Sequence, residues 1–199
     1  MDTIILNGSP ISIVKIDFVL TEEEKKIILN LNYEKKKENA SFVSQDSCLL
    51  KRKELVRIEE IMSYWVNEYK DKILQIKNKL RIVQSWSTLN NNSNHHFHAH
   101  RNSFISCSFY LENEGKNKII FSKGRSAIEE CHFLDYDIKE HNAFNSENWT
   151  FDITQGMIIV FLSNLNHESI NEGKKIMMGS NYFITGKFGK HERYTYLEI

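Results

Sequence analysis

The chain has 199 residues, 41% apolar and 26% charged, the proportions of one ordinary globular domain. Lys+Arg and Asp+Glu balance at 26 each, so the composition carries no basic footprint for nucleic acid, and no nucleic-acid partner is expected. No stretch approaches the roughly 18 uncharged apolar residues of a membrane-spanning helix, and the opening MDTIILNGSP lacks the basic and apolar regions of a secretory leader.

Cys48, Cys107 and Cys131 are widely spaced with no CxxC, so each is expected as a small buried thiol in a reducing compartment. The expected location is the cytoplasm of a microbe or of a virus-infected host cell, in keeping with an Asn-, Lys- and Ile-rich, low-GC type of composition. Pro10 is the one proline and there is no Gly/Ser-rich linker or internal repeat. A single domain over 1–199 follows, with a strand and helices in 1–80 and a β core in 81–190.

In chain order, ISIVKIDF (11–18) alternates and is rich in Ile and Val, which predicts a strand. Thr21 followed by Glu24 is a capping box and predicts a helix to about Leu31. Ser47 is the expected cap of a second helix, whose apolar stripe runs through Leu55, Ile58, Ile61, Met62, Trp65, Val66 and Tyr69 and reads as core packing. Beyond Leu80 the texture changes to short β-branched and aromatic runs: LRIVQSWSTL, SFISCSFYLE, NKIIFS, CHFLDYDI, NWTFDI, GMIIVFLS and KIMMGSNYFITGKF. Short strands at this spacing predict a sandwich or barrel, with the helices packed on an antiparallel β core.

Three features carry possible chemistry. NNNSNHHFHAHRNSF holds His95, His96, His98 and His100. On a strand the last three share one face and His95 takes the other, and imidazoles two residues apart, about 7 Å along a strand, can converge on one ion. Imidazole suits Fe, Zn, Cu and Ni alike, and polar strand ends also collect histidines without a metal. Gly156 opens an apolar strand, Met157 to Leu162, and His167 follows a short polar turn, either reaching into a barrel mouth or lying on a surface loop. Lys174 and Lys175 lead into IMMGSNYF, where Lys175, Met177, Gly179 and Asn181 share a face. A lysine turned inward there needs an anionic partner, which a dicarboxylate ligand would supply.

In this order the pieces resemble the 2-oxoglutarate/Fe(II)-dependent oxygenases, whose core is a double-stranded β-helix (jelly roll), and among them a bacterial and phage branch. The likeness rests on SWSTLNNNSNHHFHAHRNSFISCSFYL and GMIIVFLSNLNHESINEGKKIMMGSNYF, covering about Trp86 to Phe188. It implies a mainly β fold with added α-helices, Fe(II) as metal, 2-oxoglutarate as cosubstrate, and hydroxylation of a small-molecule or peptidyl substrate. It places His98 and His167 as iron ligands and His100 at the intervening position, where most members have a carboxylate. Lys175 falls on the basic residue that pairs with the far carboxylate of 2-oxoglutarate. No catalytic residue beyond the metal ligands is implied.

Asn181 is a candidate cosubstrate contact, and Trp86, Phe104 and Tyr110 are candidate pocket-lining aromatics, with a strand-end hydrogen bond and core packing as the respective alternatives. The departures are His100 for the carboxylate, Leu162 for a proline, Lys175 for an arginine and Met177 for a serine. Two other readings stand beside the oxygenase. A cupin-like metal protein shares HxH and a distant His, and HESIN suits it, but the Glu expected a few residues after HxH is replaced by RNSFIS. A metal-free jelly-roll interaction module is the other. The stretch 122–150, with His132, Asp135, Asp137 and His141, reads as a variable insert on the substrate side.

Overall fold

The computed structural model describes residues 1–6, 8–35, 40–126, 128, 137–142 and 144–199. The strand expected at CHFLDYDI, with His132 and Asp135, and the thiol of Cys131 lie outside the described residues. Strands β1 (Asp2–Leu6) and β2 (Ser9–Lys15) form an N-terminal hairpin, of which only the second was expected from sequence. Helix α1 (Glu22–Leu29) opens on the expected capping box: Glu24 N donates to Thr21 Oγ1 and Thr21 N to the Glu24 carboxylate.

Short strands β3 (Tyr33–Lys35) and β4 (Phe42–Ser44) follow. The second helix departs from expectation at its start. Two 3₁₀ turns (Leu49–Lys51 and Lys53–Leu55) precede α2 (Val56–Glu68), which runs on as a π-helical turn to Leu74. Ser47 does not cap it; the side chain that organises this entry is Asp46, whose Oδ1 accepts from Cys48 N and whose Oδ2 pairs with Arg52.

The β core comprises β5 (Lys79–Asn91), β6 (His95–His98), β7 (Ile105–Ser122), β8 (Asn148–Asp152), β9 (Met157–Leu162) and β10 (Asn166–Thr185), followed by a small hairpin of β11 (Lys187–Phe188) and β12 (Leu197–Glu198). Strands β7 and β10 pair antiparallel from Tyr182↔Ile105 to Asn166↔Ser122. The outer edge of β7 is taken by β9 over Ile105–Phe109 and by β8 over Lys118–Ser122. The outer edge of β10 is taken by β6 at His167 and Ser169 and by β5 from Lys174 on. One long ladder therefore belongs to two layers, β1-β2-β9-β7-β10-β5-β4-β3 and β8-β7-β10-β6. This is the double-stranded β-helix.

The layers turn into each other where Gly115 faces Gly173. A Cβ on Gly115 would lie 2.3 Å from the Glu172 carbonyl oxygen, and its φ of +94° is one that side chains disfavour. SFISCSFYLE and NKIIFS, separate strands by their texture, are therefore one bent strand.

Alternation then assigns two cores. Ile105, Cys107, Phe109 and Leu111 of β7, with Ile158 and Val160 of β9, face outward onto Ile28, Ile58, Met62 and Val66 of the helices. Tyr110, Ile159 and Phe161 face inward onto Ile119, Phe121, Trp149 and Phe151 of the second layer. Among the described residues no helix is long and apolar enough to cross a membrane. Gly115→Ala should destabilise the protein by about 2–3 kcal/mol, read as a lowered urea midpoint, because the Cβ strikes backbone at the bend.

Candidate metal centre

His98 ends β6, and His100 lies two residues further on, held by its backbone N–H on the Ser163 carbonyl at 2.8 Å. His167 is the second residue of β10 and pairs with His98 in register. It lies inside a strand, not on the loop that the SNLN turn suggested. One ring nitrogen from each of the three histidines falls within 4.8 Å of the other two.

The register explains which histidines meet. Between Ser169↔His95 and His167↔His98 the pairing slips, with three steps along β6 against two along β10. Simple alternation fails here: His95 joins His98 and His100 at the cavity wall, and His96 is exposed. Tautomers follow from the hydrogen bonds. A carbonyl oxygen only accepts, so His98 Nδ1–H donates to the His96 carbonyl (2.7 Å) and His167 Nδ1–H to the Leu165 carbonyl (3.1 Å). Both Nε2 lone pairs are thereby freed.

The His100 and His167 Nε2 atoms are 3.3 Å apart, and Asn181 Nδ2 lies 3.3 Å from His100 Nδ1. Burial pushes the His100 and His167 pKa values down to about 3 and lowers that of His98. The cluster is therefore neutral at physiological pH, the form in which imidazole ligates a metal. Three neutral, converging nitrogens, that of His167 buried and those of His98 and His100 half-buried, suit a divalent transition metal of the Fe, Zn, Ni type.

Aromatic packing holds the rings. Trp86 stacks on His100 at 5.3 Å, and Phe161 meets His167 edge-on at 4.9 Å. Trp86 also lies across Gly179, where a Cβ would come within 2.5 Å of the indole.

Around the same cavity stand Tyr110, Met177 and Lys175. Lys175 is 4% exposed, and its Nζ donates to Ser169 Oγ (2.5 Å) and Asn171 Oδ1 (2.6 Å). It sits 5.5 Å from the Tyr110 ring centroid. Among the described residues no carboxylate pairs with it, and burial draws its pKa down to about 7.

Of the residues expected at a site, His98, His100, His167, Lys175, Trp86 and Tyr110 surround one cavity. Phe104 does not: it precedes β7 and packs against the outer core. Asn181 does not line the cavity either; its amide contacts His100, Gln84 and Ser106 behind the wall. Asp137 and His141 are exposed and outside the cluster. Sequence reasoning missed His95, Ser169 and Asn171. The signal for the last two was alternation in HESIN, with polar residues at every second position on the inward face of a strand.

Comparison with known proteins follows the same lines. Residues 84–176 match a family described as "Putative 2OG-Fe(II) oxygenase". No curated protein matches the chain. Among solved structures, the chain is similar to an oxidoreductase of the 2OG-Fe(II) oxygenase family from Burkholderia pseudomallei, with TM-score 0.55, 12% identity, and 85% of this chain and 84% of that one covered. It is also similar to the non-heme alpha ketoglutarate dependent carbocyclase SnoK of nogalamycin biosynthesis, with TM-score 0.58, 12% identity and coverage of 88% and 80%. HygX from Streptomyces hygroscopicus gives TM-score 0.55 at 9% identity, with coverage of 85% and 82%. At such identities the structural likeness speaks for the fold alone. The match over 84–176 spans both the HxH turn and His167, so this segment, which carries the histidine cluster, is similar to the 2-oxoglutarate/Fe(II)-dependent oxygenases.

Proposed function

We propose that His98, His100 and His167 hold Fe(II) through their Nε2 atoms, and that Lys175 takes the far carboxylate of 2-oxoglutarate, in an oxygenase acting on a small-molecule substrate. One observation carries this reading. A single cavity presents a neutral triple-imidazole cluster, fit for a cation, and a buried lysine with no carboxylate, fit for an anion. A dianionic chelator bridging the two satisfies both demands at once. The solved structures of HygX hold nickel with 2-oxoglutarate, which supports the reading by analogy of fold.

When loaded, the site would supply the oxidative decarboxylation of 2-oxoglutarate to succinate and CO2 by O2, coupled to hydroxylation of a substrate C–H bond by the second oxygen atom. The chain's own contribution is positional. Ser169 and Asn171 hold the Lys175 ammonium at the cavity, and the Tyr110 ring lies beside that ammonium. Trp86 and Phe161 fix the planes of two ligand rings and keep water from their faces. His100 brings no charge where most relatives have a carboxylate, so the loaded site is one charge more positive and relies more on the cosubstrate for neutralisation.

That shortage of negative charge predicts strong mutual dependence. By calorimetry under anaerobic conditions, Mn(II) or Fe(II) should bind at least tenfold more tightly with 2-oxoglutarate present than without it. His167→Ala should abolish metal binding, whereas Lys175→Met should retain metal binding and lose the enhancement by 2-oxoglutarate. Metal binding indifferent to 2-oxoglutarate in the unmutated protein would instead favour the cupin-like reading.

A pH dependence also follows for the ligand-free protein. The folded Lys175 pKa is about 7 against 10.5 unperturbed, so between these values the unfolded chain holds a proton that the folded one lacks. Stability should therefore rise with pH from about 7 towards 10, by at most about 1.4 kcal/mol per pH unit from this group. Urea melts at pH 7 and pH 9 should show this rise in the unmutated protein and a smaller one in Lys175→Met.

A further inference from the structure

Resting on the reading of the cavity as a metal and 2-oxoglutarate site, we propose that His95 is a second binding residue for the cosubstrate. Its ring N–H donates to the same far carboxylate that Lys175 pairs with.

The register slip between β6 and β10 sets His95 opposite Ser169 and brings it to the cavity wall. Its ring meets that of His98 edge-on, with 4.7 Å between centroids. Directly opposed residues of a ladder present their side chains on one face, about 4.5–5.5 Å apart at Cβ, so His95 and Ser169 are neighbours. Ser169 Oγ in turn accepts from Lys175 Nζ at 2.5 Å. His95 therefore stands between the triple-imidazole end of the cavity and its ammonium end, within electrostatic reach of His98, His167 and Lys175. A ligand that bridges the two ends passes this ring.

The supply of donors points the same way. An ammonium has three N–H groups, and Ser169 and Asn171 take two of those on Lys175, which leaves one for a ligand. A carboxylate offers about four lone-pair sites, and its burial is costly unless they are filled. Ser169 and Asn171 cannot help, because their own donors are spent. Ser169 Oγ donates to Asn171 Oδ1, and Asn171 Nδ2 donates to the Ser93 and Ser169 carbonyls. His95 is different. Among the described residues neither of its ring nitrogens has a hydrogen-bond partner, and a histidine ring carries an N–H whether neutral or charged. Thr88 and Ser108 also line the cavity, but they stand beside Met177 and Gly179 on the other layer. Lys175 sends its ammonium across to Ser169 and Asn171, so a carboxylate seated on it lies on the His95 side.

The test is anaerobic calorimetry with Mn(II) and two 2-oxo acids: 2-oxoglutarate, and 2-oxovalerate, in which a methyl group replaces the far carboxylate. His95→Leu removes the donor and His95→Gln keeps an N–H. With Mn(II) bound, 2-oxoglutarate should bind about tenfold more weakly to His95→Leu, the loss expected of one hydrogen bond to a charged group. His95→Gln should recover most of that loss. Affinity for 2-oxovalerate, and Mn(II) affinity without any 2-oxo acid, should stay within about twofold in both variants, since neither involves the group that His95 contacts.

Unchanged 2-oxoglutarate affinity in His95→Leu overturns the proposal, and so does a loss that His95→Gln shares in full, which would make His95 a filler of space. Mn(II) affinity that falls as far as in His167→Ala makes His95 a metal ligand; this too overturns the proposal while leaving a metal site in place. Unmutated protein that takes Mn(II) but no 2-oxoglutarate overturns the cosubstrate reading itself, and the proposal with it.

Discussion

The ladder between β7 and β10 is the constraint on which the molecule depends. Both strands run through two layers, and the bend at Gly115 and Gly173 brings the second layer over the first. This folding-over places His167, near one end of β10, and Lys175, further along it, on the walls of one cavity. Without the paired glycines the two strands would continue straight, and the polar half of β10 would have nothing to enclose.

A polar interior has to be stabilised from elsewhere. The inward face of β10 carries His167, Ser169, Asn171 and Lys175, all under a tenth exposed, and burial of such groups opposes folding unless each finds a partner. Ser169 and Asn171 solve this for Lys175 only in part, since hydroxyl and carboxamide oxygens bring dipoles but no charge. The apolar counterweight lies on the other face of the same sheet, where α1 and α2 cover a continuous core from Ile28 to Tyr182. The helices thus support a site they do not touch.

Much of this was legible along the chain. The capping box at Thr21 and the apolar runs of β5 and β9 are local signals, written in propensity and period. The HxH pair, His167 and Lys175 could be singled out because histidine and lysine next to buried strands need a reason. What failed has a common cause. Ser47 looked like a cap, but Asp46 reaches the turn better; His95 was set aside by alternation, but a slip against β10 turns it inward. Phe104, a pocket candidate with core packing as its alternative, packs against the outer core just before β7 begins. The first part of β10 carries no apolar alternation to mark it as a strand, because its buried residues are polar, the reverse of the usual pattern.

The sequence by itself determined the mainly β class with added helices, the metal-ligating residue types and the resemblance to Fe(II)- and 2-oxoglutarate-dependent oxygenases, since these depend on residue identity and near-neighbour spacing. Only the tertiary structure decided which four histidines share a wall, that Lys175 is buried without a carboxylate, and that Asn181 serves His100 and not the cavity. Those facts are set by strand register and by the bend in one long ladder, where a shift of a single residue exchanges the two faces of a strand. No local pattern records that choice, because the partners that enforce it lie tens of residues away.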